Sequence, residues 1–211
     1  AAKGTLHTEA EMTRYFHSKG LSAQVLDYET EAQDWLLTKA LPGKDCLDPM
    51  YLADPVRLCD TTAELLRQLH ETDHRDCPSG DRTAQRLELA RTNFETGDFD
   101  KSLFPDNWGY DTPEEAVMVL DSMGGELKSD CLLHGDYCMP NILLENWRFT
   151  GFIDVGRGGV GDRHIDIFWG VWTLYFNLKT NAYYDRFLDV YGREIIEPEM
   201  LRTVAAFEVF G

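Results

Sequence analysis

The residues best suited to chemistry lie in one stretch, LLHGDYCMPNILLENWRFTGFIDVGR, residues 132–157. Asp136, Asn141 and Asp154 stand out in it. Two short apolar segments, 142–144 and 149–153, flank the polar tip Glu145-Asn146-Trp147-Arg148, a β-hairpin signature. With the tip centred near Asn146 and Trp147, Asn141 falls opposite Phe152. Asp154 is then one diagonal step away on the same sheet face, about 7–8 Å off. Shifting the tip by one residue keeps the two on that face and makes them directly opposite. An amide oxygen and a carboxylate then point the same way from adjacent strands. Both are hard donors of the kind Mg2+ accepts alongside phosphate oxygens and water. Asp136 precedes the first strand on a glycine-containing turn, where its carboxylate can take the proton of a substrate hydroxyl. A positioned carboxylate plus metal-holding oxygens is what phosphoryl transfer needs. The joint pattern H-G-D-x4-N followed by D-x-G-R is far more specific than a lone Asp-x-Gly.

The rest of the chain must hold this stretch in place. Thr8 and Glu11 have capping-box spacing ahead of Met12, Tyr15 and Phe16, and Gly20 fits the stop. Segments 24–28 and 34–38 read as strands, and Leu41-Pro42-Gly43 breaks the pattern. Asp54-Pro55 is an N-cap followed by a first-turn proline, and the helix it opens carries Val56, Leu58, Cys59, Leu65, Leu66 and Leu69. Residues 82–94 read as helix and 95–110 as loop. Thr112-Pro113-Glu114-Glu115 opens another helix. Helical patterns return near 165–177, 182–191 and 198–210, with Gly192 ending the second. The expected class is α+β, mostly helical with a few short strands.

Composition narrows the function classes. The chain has 211 residues, 43% hydrophobic and 12% aromatic, enough for a core in one or two domains. The net charge of −17 argues against a nucleic-acid partner, which needs a basic footprint, and suits a cationic small molecule. No stretch reaches the ~18 apolar residues of a membrane span, and residues 1–10 lack a signal-peptide layout. The expectation is a soluble, cytoplasmic protein with no membrane partner. Cys46, Cys59, Cys77, Cys131 and Cys138 are odd in number and scattered, as reduced thiols are.

The H-G-D-x4-N…D-x-G-R pattern resembles the catalytic and metal loops of aminoglycoside phosphotransferases. NILLENWRFTGFIDVGRGGVGDRHIDI is similar to the 3′-phosphotransferase branch, which inactivates kanamycin and neomycin, and LPGKD, LHETDHRDCP and the late FEVF fit it too. The resemblance runs from about Glu9 to Phe210. It implies a protein-kinase-like fold: residues 1–40 the remnant of a nucleotide-binding lobe, 41–211 a catalytic and substrate-binding lobe. It implies ATP or GTP as phosphate donor, Mg2+, and a cationic antibiotic as acceptor. It makes Asp136 the catalytic aspartate, Asn141 and Asp154 the metal ligands, and Arg157 a neighbour in the phosphate and substrate region. Glu9 matches the glutamate that pairs with a phosphate-binding lysine, and Lys39 to Leu41 the hinge whose backbone meets adenine. His134 and Asp166 are implied supports of the catalytic loop. Glu208, Phe210, Asp100 and Asp106 fall where the drug pocket is lined.

Two features depart from that pattern, and one motif competes with it. No strand lysine or glycine-rich phosphate loop precedes Glu9, and Lys3, six positions ahead, is too close to serve. The 211 residues alone are therefore expected to show little or no kinase activity. The helix after Asp166 carries Trp172, Phe176 and Asn177 where some members place acidic drug-binding residues. That leaves open a related kinase for another cationic substrate, or a noncatalytic cation-binding lobe. Finally, His70-Glu71-Thr72-Asp73-His74 matches the zinc-protease motif H-E-x-x-H. Zinc would need both histidines on one helix face, yet Asp73, Arg75 and Cys77-Pro78 signal that the helix is ending.

Overall fold

The first helix, α1 (His7–Ser18), begins ahead of Thr8, so the capping box does not form. A carboxylate 28 residues downstream replaces it. Asp34 accepts the amides of Gly4 at 2.9 Å and Leu6 at 2.8 Å, satisfying donors that open the helix. In this computed structural model, which describes residues 1–99 and 109–211, α1 leads into an antiparallel hairpin, β1 (Val25–Thr30) and β2 (Asp34–Thr38). The short β3 (Lys44–Asp45) and α2 (Pro49–Leu52) follow. Then come α3 (Pro55–His70), α4 (Arg82–Thr96) and α5 (Pro113–Met123). The expected caps hold on two of them: Asp54 accepts the Arg57 amide at 3.2 Å and Thr112 the Glu115 amide at 3.2 Å.

The strands that carry the chemical residues are short. They are β4 (Cys131–Leu133), β5 (Ile142–Glu145), β6 (Arg148–Phe152) and β7 (Gly159–Gly161). β5 sits between β3 and β6 in one antiparallel sheet, and β4 pairs with β7 in another. Three helices close the chain: α6 (Arg163–Leu178), α7 (Tyr184–Tyr191) and α8 (Pro198–Glu208). The α+β arrangement matches the expectation. None of the helices among the described residues is long and apolar enough to cross a membrane.

The hairpin register differs from the expected one by a bulge. Ile142 pairs with Phe152, and Leu143 with Gly151, but Leu144 pairs with Phe149, so Thr150 is the extra residue. The Ile153 amide donates to the Asn141 carbonyl at 3.1 Å, so Asn141 faces Ile153 and not Phe152 or Asp154. The tip residues Asn146 and Trp147 both have positive φ, 52° and 67°, as a tight two-residue turn requires. Trp147 holds that conformation against Tyr51, at a ring distance of 5.0 Å, and under the Arg57 guanidinium at 4.4 Å.

One core joins these parts. Met12 and Phe16 of α1, the leucines of α3, Phe152, and Ile165 and Phe168 of α6 belong to it. The N-terminal part is also stitched to the strand before Asp154. The Phe152 amide donates to the Leu21 carbonyl at 2.7 Å, and the Ser22 hydroxyl to the Phe152 carbonyl at 2.8 Å.

Candidate active site

β4 ends at Leu133, and the chain then turns through His134, Gly135 and Asp136. Gly135 has φ +82°, and a Cβ there would lie 2.1 Å from the Arg157 carbonyl oxygen. Only glycine allows so close an approach. Asp166, on the first turn of α6 and fully buried, accepts the amides of His134 at 2.6 Å and Gly135 at 2.9 Å. Behind it, His70 Nε2 lies 3.4 Å from the same carboxylate, and His70 Nδ1 is 2.8 Å from the Tyr191 hydroxyl. Because the carboxylate only accepts, the His70 proton belongs on Nε2, and Tyr191 donates to Nδ1. Burial alone would raise the Asp166 pKa. The hydrogen bonds from His70 and from the His134 amide oppose it, and the carboxyl is held below the usual aspartate value. The His134 pKa is lowered by burial. Its Nδ1 accepts the Asp136 amide at 3.3 Å, which fixes the tautomer of the neutral ring.

Asn141 ends a short turn, Met139–Asn141, that leads into β5. Its side-chain N–H2 group donates to the Asp136 carbonyl at 3.0 Å and to the Asp136 carboxylate at 3.1 Å. Both bonds use the nitrogen and leave Oδ1 as the free end of the amide. Asp154 leaves β6 in a left-handed conformation, φ 56°, and its carboxylate does not cap the turn that follows. The pleat therefore does not aim Asp154, as the sequence suggested; a backbone turn does. The side chains of Asp136, Asn141 and Asp154 offer hard oxygens, and among the described residues there is no cluster of three or more His, Cys, Asp or Glu that would hold a metal on its own. Two protein oxygens completed by phosphate and water suit Mg2+.

Glu9 comes to this same turn from α1. Its carboxylate accepts the Val155 amide at 3.2 Å, the Gly156 amide, and the Thr13 hydroxyl at 3.1 Å. Burial raises its pKa, with the Asp154 charge adding to the effect and the hydrogen bonds opposing it. The Lys39 amide is used by the Gln24 carbonyl at 2.8 Å, which extends the β1–β2 ladder to the start of segment 39–41. The Leu41 side chain lies on Gly151, where a Cβ would sit 2.7 Å from it. Arg157 lines a cavity of about 260 Å³ with Thr8, Arg82, Gln85, Arg86 and Gly156. Glu208 and Phe210 do not stand on an open wall. Glu208 is buried and ion-paired with Arg86, and burial raises its pKa. Phe210 is fully buried against Phe94 and Phe99 at ring distances of 5.5 and 5.1 Å. Asp100 and Asp106 lie outside the described residues.

Sequence reasoning missed several partners. Arg82 and Arg86 were legible only as polar positions of a helix, yet both reach backbone carbonyls of the two loops. Their four-residue spacing on one helix face was the available signal. Thr173 was also missed; its hydroxyl accepts the Met139 amide at 3.2 Å. The H-E-x-x-H match resolves as expected from its flanks. α3 ends at His70, Glu71 caps it, and His74 Nδ1 lies 3.4 Å from the Thr72 carbonyl, so the two histidines do not share a helix face.

Comparisons with known proteins identify the family and the fold. The profile of the phosphotransferase enzyme family matches residues 1–206. A protein of Lactococcus lactis subsp. lactis (strain IL1403) named probable aminoglycoside 3'-phosphotransferase is 46% identical over 212 residues, which cover 100% of this chain and 80% of the relative. The aminoglycoside 3'-phosphotransferase of Niallia circulans is 30% identical over 98% of this chain and 79% of its own length. Among solved structures, an aminoglycoside-3'-phosphotransferase of type VIII superposes with a TM-score of 0.75 at 26% identity, covering 100% of this chain and 83% of that one. An aminoglycoside phosphotransferase of Streptomyces rimosus in complex with ADP and streptomycin shares the fold, with a TM-score of 0.79 at 20% identity over 97% of this chain and 81% of that one. The fold is thus the protein-kinase-like one of the aminoglycoside phosphotransferases, and the chain belongs to the phosphotransferase enzyme family.

Proposed function

We propose that this chain carries the catalytic and drug-binding part of a kinase that moves the γ-phosphate of ATP or GTP to a hydroxyl of an aminoglycoside of the kanamycin type. The observation that carries the reading is the Asp136–Asn141 pair. One amide group fixes the aspartate from two sides while keeping its own oxygen free. In this reading Asp136 accepts the proton of the substrate hydroxyl as that oxygen attacks phosphorus. Asn141 Oδ1 and the Asp154 carboxylate hold Mg2+, which neutralises charge on the phosphate oxygens when bound. Residues 1–40 form the nucleotide side, where the backbone of Lys39 to Leu41 borders the adenine. Residues 41–211 form the catalytic and substrate side. Glu9 orients the backbone behind Asp154, and Arg157 faces the phosphate region. Glu208 and Phe210 back the substrate side from beneath the surface, Glu208 by holding Arg86. Asp166 and His134 hold the loop.

Two variants test the reading. Asp136→Ala should lower transfer to kanamycin by about 10³-fold, followed by mass spectrometry, while calorimetry shows drug binding retained. Equal loss of binding would contradict the role. Asp154→Ala should raise the Mg2+ concentration needed for turnover; metal-independent activity in that variant excludes it as a ligand. If the parent protein binds the drug but yields no phosphorylated product with either nucleotide, the noncatalytic cation-binding reading replaces this one.

One observation favours a second substrate class. Trp172 and Phe176 stack at 4.9 Å, and the Lys179 ammonium sits 4.1 Å over the Phe176 ring. An aromatic ledge that already accommodates one ammonium suits a cationic substrate held by π-faces and not by carboxylates.

A further inference from the structure

At Gly135 and Gly158 the two loops of the candidate site approach with backbone against backbone. A Cβ on Gly135 would meet the Arg157 carbonyl oxygen at 2.1 Å, and one on Gly158 would meet the Leu133 carbonyl oxygen at 2.8 Å. The two glycines place no side chain of their own between the loops at these points. The outer carbonyls of both loops turn instead to one face of α4. Arg82 Nε donates to the Gly158 carbonyl at 2.7 Å, and its Nη2 donates to the Gly156 carbonyl at 3.2 Å. Arg86, one turn further along, donates through Nη2 to the Gly135 carbonyl and through Nη1 to Glu208. The Glu208 carboxylate balances the partly buried Arg86 charge, and the Asn93 side chain ties α4 to the Phe210 carbonyl at 2.6 Å.

We propose that Arg82 and Arg86 are positioning residues that set the spacing of the two loops, Arg82 for the segment behind Asp154 and Arg86 for the segment ahead of Asp136. The inference rests on the roles proposed above for those two aspartates. A guanidinium is suited to the task because its planar fork holds two acceptors at fixed angles, which a lysine ammonium cannot do. The two arginines do separable jobs, since each grips one loop. Arg82 governs how well the metal is held; Arg86 governs how well Asp136 meets the hydroxyl.

The test is Arg82→Lys against Arg86→Lys in the full-length protein. Arg82→Lys should raise the Mg2+ concentration for half-maximal turnover about tenfold with drug KM unchanged. Arg86→Lys should lower kcat at saturating Mg2+ about tenfold, again with drug KM unchanged. Amide hydrogen exchange should quicken at residues 155–158 in the first variant and at 134–136 in the second. If Arg86→Lys does not fold, Glu208→Gln loosens Arg86 without removing it and should give the same kcat effect in smaller measure. Losses of kcat, KM and metal dependence in common proportion, tracking the melting temperature, would overturn the proposal. So would exchange rates that do not change in the assigned loop. If the wild-type protein transfers no phosphate, the proposed function falls, and the loop-specific exchange still decides this inference.

Discussion

Two aspartates use the same device in two different settings. Asp166 and Asp34 each accept a pair of backbone amides from a distant segment. Asp166 does so inside the core, backed by His70 and Tyr191, and fixes the loop that carries Asp136. Asp34 does so at the edge of a two-stranded hairpin whose Leu26, Trp35 and Leu37 are exposed, and fixes the start of the helix that carries Glu9. The surroundings separate the two. Asp34 is itself only 1% exposed. Its donors, however, belong to Gly4, which is exposed, and Leu6, which is half-buried, so water can replace the lost acceptor there. Around Asp166 a lost acceptor strands buried donors.

The largest expected effect is on the core side. Asp166→Ala leaves two loop amides and the His70 N–H without an acceptor, and should cost about 3–5 kcal/mol in a denaturant titration. A cost near that of an average surface substitution would break the contrast. Next is a pair of glycine substitutions. Gly135→Ala drives a Cβ into the Arg157 carbonyl and should cost at least about 3 kcal/mol, whereas Gly20→Ala, with φ +75° but open space around it, should cost about 1 kcal/mol. Similar losses at both sites would mean that conformation and not contact dominates at Gly135.

The smallest effect concerns Asp34, and pH reveals it. Its amide bonds to Gly4 and Leu6 lower its pKa to about 2. A depressed carboxyl contributes stability that is present above its unfolded pKa and lost as pH falls through the folded value. Thermal unfolding of the wild type should therefore weaken between the usual aspartate range and about 2, and Asp34→Asn should flatten part of that slope. Asp166 is also depressed and adds a loss of the same sign as pH falls. An unchanged profile in Asp34→Asn would assign the slope to the other depressed carboxyls, Asp166 together with Asp48, Asp73, Asp76, Asp162 and Asp189.

The same contrast explains what could be read in advance. Asp54-Pro55 and Thr112-Pro113 were legible because their caps act within three residues, and local chemistry was left to decide. Thr8 was misleading because a carboxylate across the hairpin supplies the acceptors that a local cap would have supplied. Asp136, Asn141 and Asp154 stand out as candidates from spacing and residue type. Their geometry could not, because the bulge at Thr150 shifts the hairpin by one residue and Asp154 turns out of the strand. Arg82 and Arg86 stayed hidden for a related reason. Their partners are carbonyl oxygens, which every residue has, so no pattern of side chains announces them.

Gly156 is gripped at both of its peptide units. Its amide is taken by Glu9 from α1, and its carbonyl by Arg82 from α4. A Cβ there would come within 2.5 Å of the Glu9 carboxylate. Glycine has more torsional freedom to lose than any other residue, and here that freedom is removed from both ends. Rotating either flanking peptide would point a dipole the wrong way at a full charge, negative on one side and positive on the other. The segment behind Asp154 thus behaves as a latch with a single closed position. Any motion of α1 relative to α4 must either carry Gly156 along or open one of its two grips first.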